Sequence, residues 1–151
     1  MRCMEEAWDA GIVVVVAAGN MGPAAGTITV PGNSPKVITV GAYDDCGFPG
    51  GCYSGRGPTP DCVCKPEITA PGSGIRSCSS LYHLSGQRYC AKSGTSMAAP
   101  VVSGAIALLL EKEPDLSNVE VKMRLKGCAR DMRLAKSRQG WGLIDIHSLL
   151  T

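Results

Sequence analysis

Ile12-Val13-Val14-Val15-Val16-Ala17-Ala18 runs without a polar residue and without alternation. A strand with one wet face alternates apolar and polar side chains; an unbroken β-branched run suits a strand covered on both faces, as in a parallel sheet. Working outward, residues 2–10 read as a helix that Gly11 is placed to end. Val37-Ile38-Thr39-Val40 is a second strand, reached through a loop over 19–35 dense in Gly, Pro and Asn. Residues 44–66 are the least regular part. Ile68-Thr69-Ala70 is a short strand stopped by Pro71-Gly72. Residues 75–79 and 88–91 read as hairpin arms around 80–87. Residues 96–111 form the longest apolar helix, whose Ala, Val, Ile and Leu leave little polar face; the expectation is burial all round, with Pro100 in the first turns. Ser117-Asn118-Val119-Glu120 is a capping box for a helix to about Cys128. After the turn Gly140-Trp141-Gly142, Asp145 caps a last short helix through Leu150. With strands and helices both present this is an α/β chain; the run 12–18 suits a parallel sheet, which the helices would flank.

Composition agrees. Of 151 residues, 44% are hydrophobic and 19% charged, outside the disordered class. Only 5% are aromatic, against 19 Gly and 10 Pro, so the core rests on aliphatic side chains and tight turns. Fifteen basic residues against 13 acidic ones leave a net charge of +2, no basis for expecting nucleic acid as partner. No apolar run approaches the ~20 residues of a membrane span, so no membrane partner is expected. The segment from Met1 to Glu6 lacks the pattern of a signal peptide, and the compartment stays open. For the eight Cys, free thiols are the favoured reading over four disulfides, because a chain this long can build a core without staples.

Chemistry concentrates in Gly94-Thr95-Ser96-Met97-Ala98-Ala99-Pro100. A hydroxyl at the mouth of a buried helix meets partial positive charge and an N–H group with no intrahelical partner, both suited to an oxyanion. The plain alternative is that Thr95 or Ser96 only caps the helix. Taken whole, the heptapeptide resembles the nucleophile motif of the subtilisin-like serine peptidases, the subtilases, and other segments follow in that family's order. Val15-Val16-Ala17-Ala18-Gly19-Asn20 is similar to its strand ending in an oxyanion-hole Asn. Val30-Pro31, Val37-Ile38-Thr39-Val40-Gly41-Ala42, Tyr53-Ser54-Gly55-Arg56-Gly57-Pro58 and Lys65-Pro66-Glu67-Ile68-Thr69-Ala70-Pro71-Gly72 come next, and Gly140-Trp141-Gly142-Leu143-Ile144-Asp145 is similar to the closing turn.

The resemblance implies a partial subtilisin-like three-layer fold and a serine endopeptidase working through an acyl-enzyme on Ser96. Catalytic Ser96 would attack the scissile carbonyl of a polypeptide substrate, while Asn20 and the Ser96 N–H hold the tetrahedral oxygen. Ala17, Ala18 and Gly19 would line a wall of the pocket for the side chain before the cut bond, with Thr29 near its base. The Val30–Pro31 peptide would be cis. Calcium is a cofactor the family suggests, with no ligand set to name here. Subtilases order their triad Asp, His, Ser, so base and acid belong before Gly11. His83 reads as a hairpin-loop residue and His147 as a terminal-helix residue. The expectation is therefore that residues 1–151 form the C-terminal portion of a catalytic domain, without its Asp and His segments and inactive by itself. Its partner would be the remaining N-terminal part, or a second copy through an exposed sheet edge.

Three other classes compete. An inactive pseudoprotease, a binding or assembly module, would use the same fold. A zinc site on Cys46, Cys52, Cys62 and Cys64 lacks paired knuckles, so no metal ligand is assigned. Nucleotide binding through Gly19, Gly22 and Gly26 lacks a following helix.

Overall fold

The computed structural model describes residues 2–47 and 51–151; the irregular stretch expected at 44–66 therefore includes three positions outside the described residues. Helix α1 (Arg2–Asp9) ends as its sequence implies, with Gly11 at φ +88°. Strands β1 (Val15–Ala17), β2 (Ile38–Ala42) and β3 (Ile68–Ala70) form one parallel sheet in the order β1-β2-β3, with Val15 opposite Ile38 and Val40 opposite Ile68. Parallel neighbours need long crossovers, which the Gly- and Pro-rich loops supply here in place of helices. The Val30–Pro31 peptide is cis. β4 (Ile75–Cys78) and β5 (Tyr89–Lys92) pair as an antiparallel hairpin, and its loop carries a helical turn, α2 (Tyr82–Ser85), which the sequence does not signal.

Helix α3 (Thr95–Lys112) lies across the sheet and buries Ala98, Val102, Ala105, Ile106 and Leu109 against Ile38, Val40, Ile68 and Ala70. Helices α4 (Asn118–Cys128) and α6 (Ile146–Leu150) add Val121, Leu125 and Leu149 to this core, and α1 adds Trp8. The Ser117–Glu120 capping box is formed, and Asp145 accepts the Ser148 N–H at 3.1 Å. A short helix α5 (Lys136–Gln139), not foreseen, precedes the turn at 140–142. That turn closes the sheet on the β3 side. Trp141 N–H donates to Glu67 O at 2.7 Å, and Ile144 N–H to Thr69 O at 2.9 Å.

Two burial expectations need correction. The run 12–18 is a three-residue strand, half-buried, and Ile12 is 58% exposed. Helix α3 is not buried all round: Ser103, Gly104, Ala107 and Leu108 face outward, Leu108 at 49%. For Ile12, Ser103 and Ala107 the cause is the open sheet edge. β1 stands at the edge of the sheet, and between it and α3 runs an apolar groove of about 780 Å³ with Ile12, Val13, Val15, Ile106, Ala107 and Leu110 along its walls. Pro100 stands in the first turns as expected, sixth in α3. Its missing N–H leaves the Ser96 carbonyl without an α-helical donor.

The cysteine expectation is corrected as well. Cys46 and Cys52 form a disulfide, their Cα atoms 4.2 Å apart. Cys3, Cys62, Cys64, Cys78, Cys90 and Cys128 are free.

Candidate active site

Everything converges on the start of α3. Gly94 precedes the helix at φ +147°, and a Cβ there would lie 3.2 Å from Asn20 Nδ2, so glycine lets the carboxamide close in. Thr95, first in the helix, is fully buried, and Ser96, second, is exposed. The Ser96 N–H, at the second helical position, has no carbonyl one turn back to bond.

Thr95 is the hub, and its hydroxyl bonds a distant strand end rather than capping the helix. Its N–H donates to Asn20 Oδ1 at 2.9 Å and its hydroxyl donates to the same oxygen at 3.0 Å. That hydroxyl also accepts the Gly19 N–H at 3.2 Å. Two donors fix Oδ1 inward, so the Nδ2 amide is the end left to donate beside Gly94 and Ser96. Asn20 is exposed at the mouth of the site, just beyond β1. The strand end is thus locked to the helix start across 75 residues of sequence.

The residues expected to form a substrate wall stand together. Ala18 is fully buried, and its carbonyl accepts the Thr29 N–H at 3.0 Å. Gly19, at φ +92°, packs so close to Thr29 that a Cβ would fall 2.2 Å from Thr29 Oγ1. Ala17 and Thr29 are half-buried.

A second set of bonds holds the other approach to Gly94. Asp44 accepts the Gly72 and Ser73 N–H groups at 2.9 and 3.1 Å, and Gly94 N–H donates to Gly72 O at 2.9 Å. The Tyr53 hydroxyl hydrogen-bonds Ser73 Oγ at 2.8 Å. Burial, aided by the charges of Asp44 and Asp45, raises the Tyr53 pKa above its ordinary value, so the phenol stays neutral.

His83 lies in α2 at the far end of the hairpin, beside the Tyr82 ring, and His147 lies in α6. Among the described residues no carboxylate or imidazole bonds Ser96. The four-thiol zinc set does not assemble: Cys46 and Cys52 are paired to each other, and Cys62 and Cys64 do not join them. For calcium, no group of three carboxylates gathers among the described residues. Asp44 is taken up by backbone donors, and Asp45 by Ser54 N–H at 2.9 Å and Arg138 at 3.0 Å.

Comparison with known proteins gives this arrangement its context. Serine protease AprX of Bacillus subtilis (strain 168) is 48% identical over 83% of this chain and 32% of its own length. Subtilisin of Bacillus pumilus is 37% identical over 96% of this chain and 49% of its own. Among solved structures, the prenylagaramide maturation protease PagA superposes with a TM-score of 0.78 at 29% identity, covering 99% of this chain and 53% of that one. The chain thus spans a third to a half of the relatives it matches. The family model described as Subtilase family matches residues 2–142, and the chain belongs to that family of serine peptidases.

Proposed function

We propose that this chain carries the nucleophile and the oxyanion donors of a serine endopeptidase. Ser96 Oγ attacks the scissile carbonyl and forms the acyl-enzyme. Asn20 Nδ2 and the Ser96 N–H donate to the oxygen as it gains charge, where a preoriented neutral amide helps most. The side chain before the cut bond lies along Ala17, Ala18 and Gly19 toward Thr29. One observation carries this reading: Thr95 clasps the Asn20 carboxamide by its oxygen, directly beside the exposed Ser96. A helix cap alone would not require a carboxamide from a distant strand.

A serine hydroxyl is a weak nucleophile near pH 7 without an adjacent base, itself oriented by an acid. We read both as coming from outside residues 1–151, on a segment of the same domain that docks on the β1 edge and the apolar groove beside α3. Alternation supports an incoming strand. Val14 O and Ala18 N–H bond to β2, so the backbone groups of Val13, Val15 and Ala17 point the other way. The chain alone should therefore turn over no peptide, and supplying the rest of a subtilase domain should restore cleavage. Ser96→Ala should abolish the restored activity. Asn20→Ala should lower kcat by about 10²–10³, the range seen when subtilisin loses the same donor. Turnover by the chain alone, lost in Ser96→Ala, would contradict the missing-base reading. Restored activity indifferent to both substitutions would remove the proposal.

A further inference from the structure

Cys46 and Cys52 join two chain segments that grip the site from both sides. Just before Cys46, the Asp44 carboxylate accepts the Gly72 and Ser73 N–H groups at 2.9 and 3.1 Å, and the Asp44 carbonyl accepts the Ser73 hydroxyl at 3.1 Å. Gly72 in turn accepts the Gly94 N–H at 2.9 Å. Just after Cys52, Tyr53 O accepts the Gly22 N–H at 2.8 Å, and Gly55 N–H donates to Gly19 O at 2.7 Å. These two bonds fall on either side of Asn20. The segments also hold each other: buried Asp45 accepts the Ser54 N–H at 2.9 Å, and Ser54 Oγ accepts the Ala42 N–H at 3.0 Å. The disulfide closes the outer end of this bracket, with Cys46 exposed and Cys52 half-buried. The Arg56 guanidinium stands 3.8 Å from Cys46 Sγ, and among the described residues no carboxylate pairs with it.

We propose that the Cys46–Cys52 bond is a thiol–disulfide exchange site for a dithiol reductant, and that opening it loosens the Asn20 and Gly94 ends of the site while the fold stands. Treating that region as a working site rests on the peptidase reading above. In the exchange, a thiolate of the reductant attacks Cys52 Sγ. The Cys46–Cys52 bond breaks, and its electron pair leaves on Cys46 Sγ as a thiolate beside the Arg56 cation; a stabilised leaving thiolate departs faster. The second thiolate of the reductant then attacks the reductant's own sulfur in the mixed disulfide and releases Cys52. The protein gains two electrons and ends with two thiols, which carry the two protons the dithiol gave up, and the dithiol becomes a cyclic disulfide. Neither cysteine belongs to the core around Val40, Val102 and Leu125, so the core keeps its packing. The Asp45–Ser54 bond still links the two segments, but no covalent bond fixes their spacing. The bonds to Gly19, Gly22, Gly72 and Ser73 then open more often, and with them the placement of Asn20 Nδ2 beside Gly94.

The test is hydrogen exchange followed by NMR on the isotope-labelled 151-residue chain, before and after treatment with dithiothreitol, with alkylation and mass spectrometry to count thiols. Six cysteines should be alkylated before reduction and all eight after it. On reduction the amides of Gly22, Ser54, Gly55, Gly72 and Ser73 should exchange about ten- to fiftyfold faster, the factor that the closure entropy of so short a loop allows. The Asn20 side-chain amide signals should shift with them, while Val40, Val102 and Leu125 stay protected. Cys46→Ser combined with Cys52→Ser should reproduce the reduced pattern without reductant. Arg56→Gln should slow the reduction about two- to fivefold, the weight of an exposed charge pair. Eight alkylated cysteines before reduction, unchanged exchange at those amides after it, or Arg56→Gln reduced at the parent rate would overturn the proposal. So would faster exchange at Val40, Val102 and Leu125 as well, since the bond would then be a staple of the whole fold. None of these outcomes touches the peptidase reading, which stands or falls with Ser96 in the restored domain.

Discussion

Thr95→Val removes one oxygen and keeps the shape of the side chain, so it isolates what that hydroxyl does. Two bonds are lost: the donation to Asn20 Oδ1 at 3.0 Å and the acceptance from Gly19 N–H at 3.2 Å. A hydrogen bond contributes about 0.5–1.5 kcal/mol net, and a buried donor left without a partner costs about 1–3 kcal/mol. Thr95 is fully buried and Gly19 partly so. The loss should therefore be about 2–3 kcal/mol, toward the middle of the summed range. With an unfolding entropy near 2.1 cal/mol/K per residue, a chain of this length loses about 3 °C in Tm per kcal/mol, so Tm should fall by about 6–9 °C. The Asn20 carboxamide keeps the Thr95 N–H bond but loses the hydroxyl, and its side-chain amide protons should broaden and exchange faster in a nitrogen-15 spectrum. Thr95→Ser keeps both bonds and should cost about 1 kcal/mol, the value of one buried methyl group. A Thr95→Val variant within about 0.5 kcal/mol of the parent chain, the range of a neutral surface change, would refute the hub. Equal losses for Val and Ser would do the same by assigning the effect to packing.

Three other expectations are open to measurement. Gly19→Ala should destabilise by about 2 kcal/mol or more, from the left-handed φ and the contact with Thr29; Thr29→Ala in the same chain should recover part of it, and strict additivity in a double-mutant cycle would count against the clash. Lys65 is wholly buried, its ammonium 2.6 Å from Glu67 Oε1 and 3.1 Å from Val37 O, and burial, only partly offset by Glu67, lowers its pKa to about 8. In the unfolded chain it titrates at its ordinary, higher value. Between these two pH values the unfolded state binds more protons, so stability should rise with pH, by about 2 kcal/mol between pH 7.5 and 10, and Lys65→Met should flatten that rise in urea titrations. Finally, the β1 edge and the groove beside α3 should make the chain associate. Light scattering should show oligomers that Ile12→Lys and Ala107→Lys reduce, and a concentration-independent monomer would be the contrary result.

The sequence was most legible where chemistry is local. The Ser117 capping box and the Gly94–Pro100 heptapeptide each fit within a turn or two, and both stand where the residues put them. Helix α3 and the strands were visible from their apolar runs, but their burial was not. Exposure of Ile12 and Ala107 depends on what packs beside the β1 edge, and a run of valines carries no information about its neighbour. The Cys46–Cys52 bond was hidden for a related reason: eight cysteines allow many pairings, and the sequence alone does not choose among them. Thr95 escaped for a subtler one. A threonine before a helix is so common a cap that nothing local distinguishes a hydroxyl aimed at its own backbone from one aimed at a strand 75 residues away.

The placement of that hydroxyl bears on how the proposed oxyanion site can be exact while its donor is exposed. An asparagine at a loop mouth has two nearly equivalent ends, and a flip would present an oxygen to the developing oxyanion, turning attraction into repulsion. Nothing in the Asn20 backbone prevents the flip. Thr95 prevents it, because both its N–H and its O–H point at one atom, and only an acceptor satisfies two donors. The same hydroxyl takes the Gly19 N–H, so the strand end cannot slide along the helix without breaking the clasp. Gly94 completes the arrangement by leaving room for the amide where any side chain would press against Nδ2. Preorganisation, on this reading, belongs to the residue before the nucleophile rather than to the donor itself, and that is why a substitution at Thr95 should loosen the Asn20 amide although it touches neither reacting group.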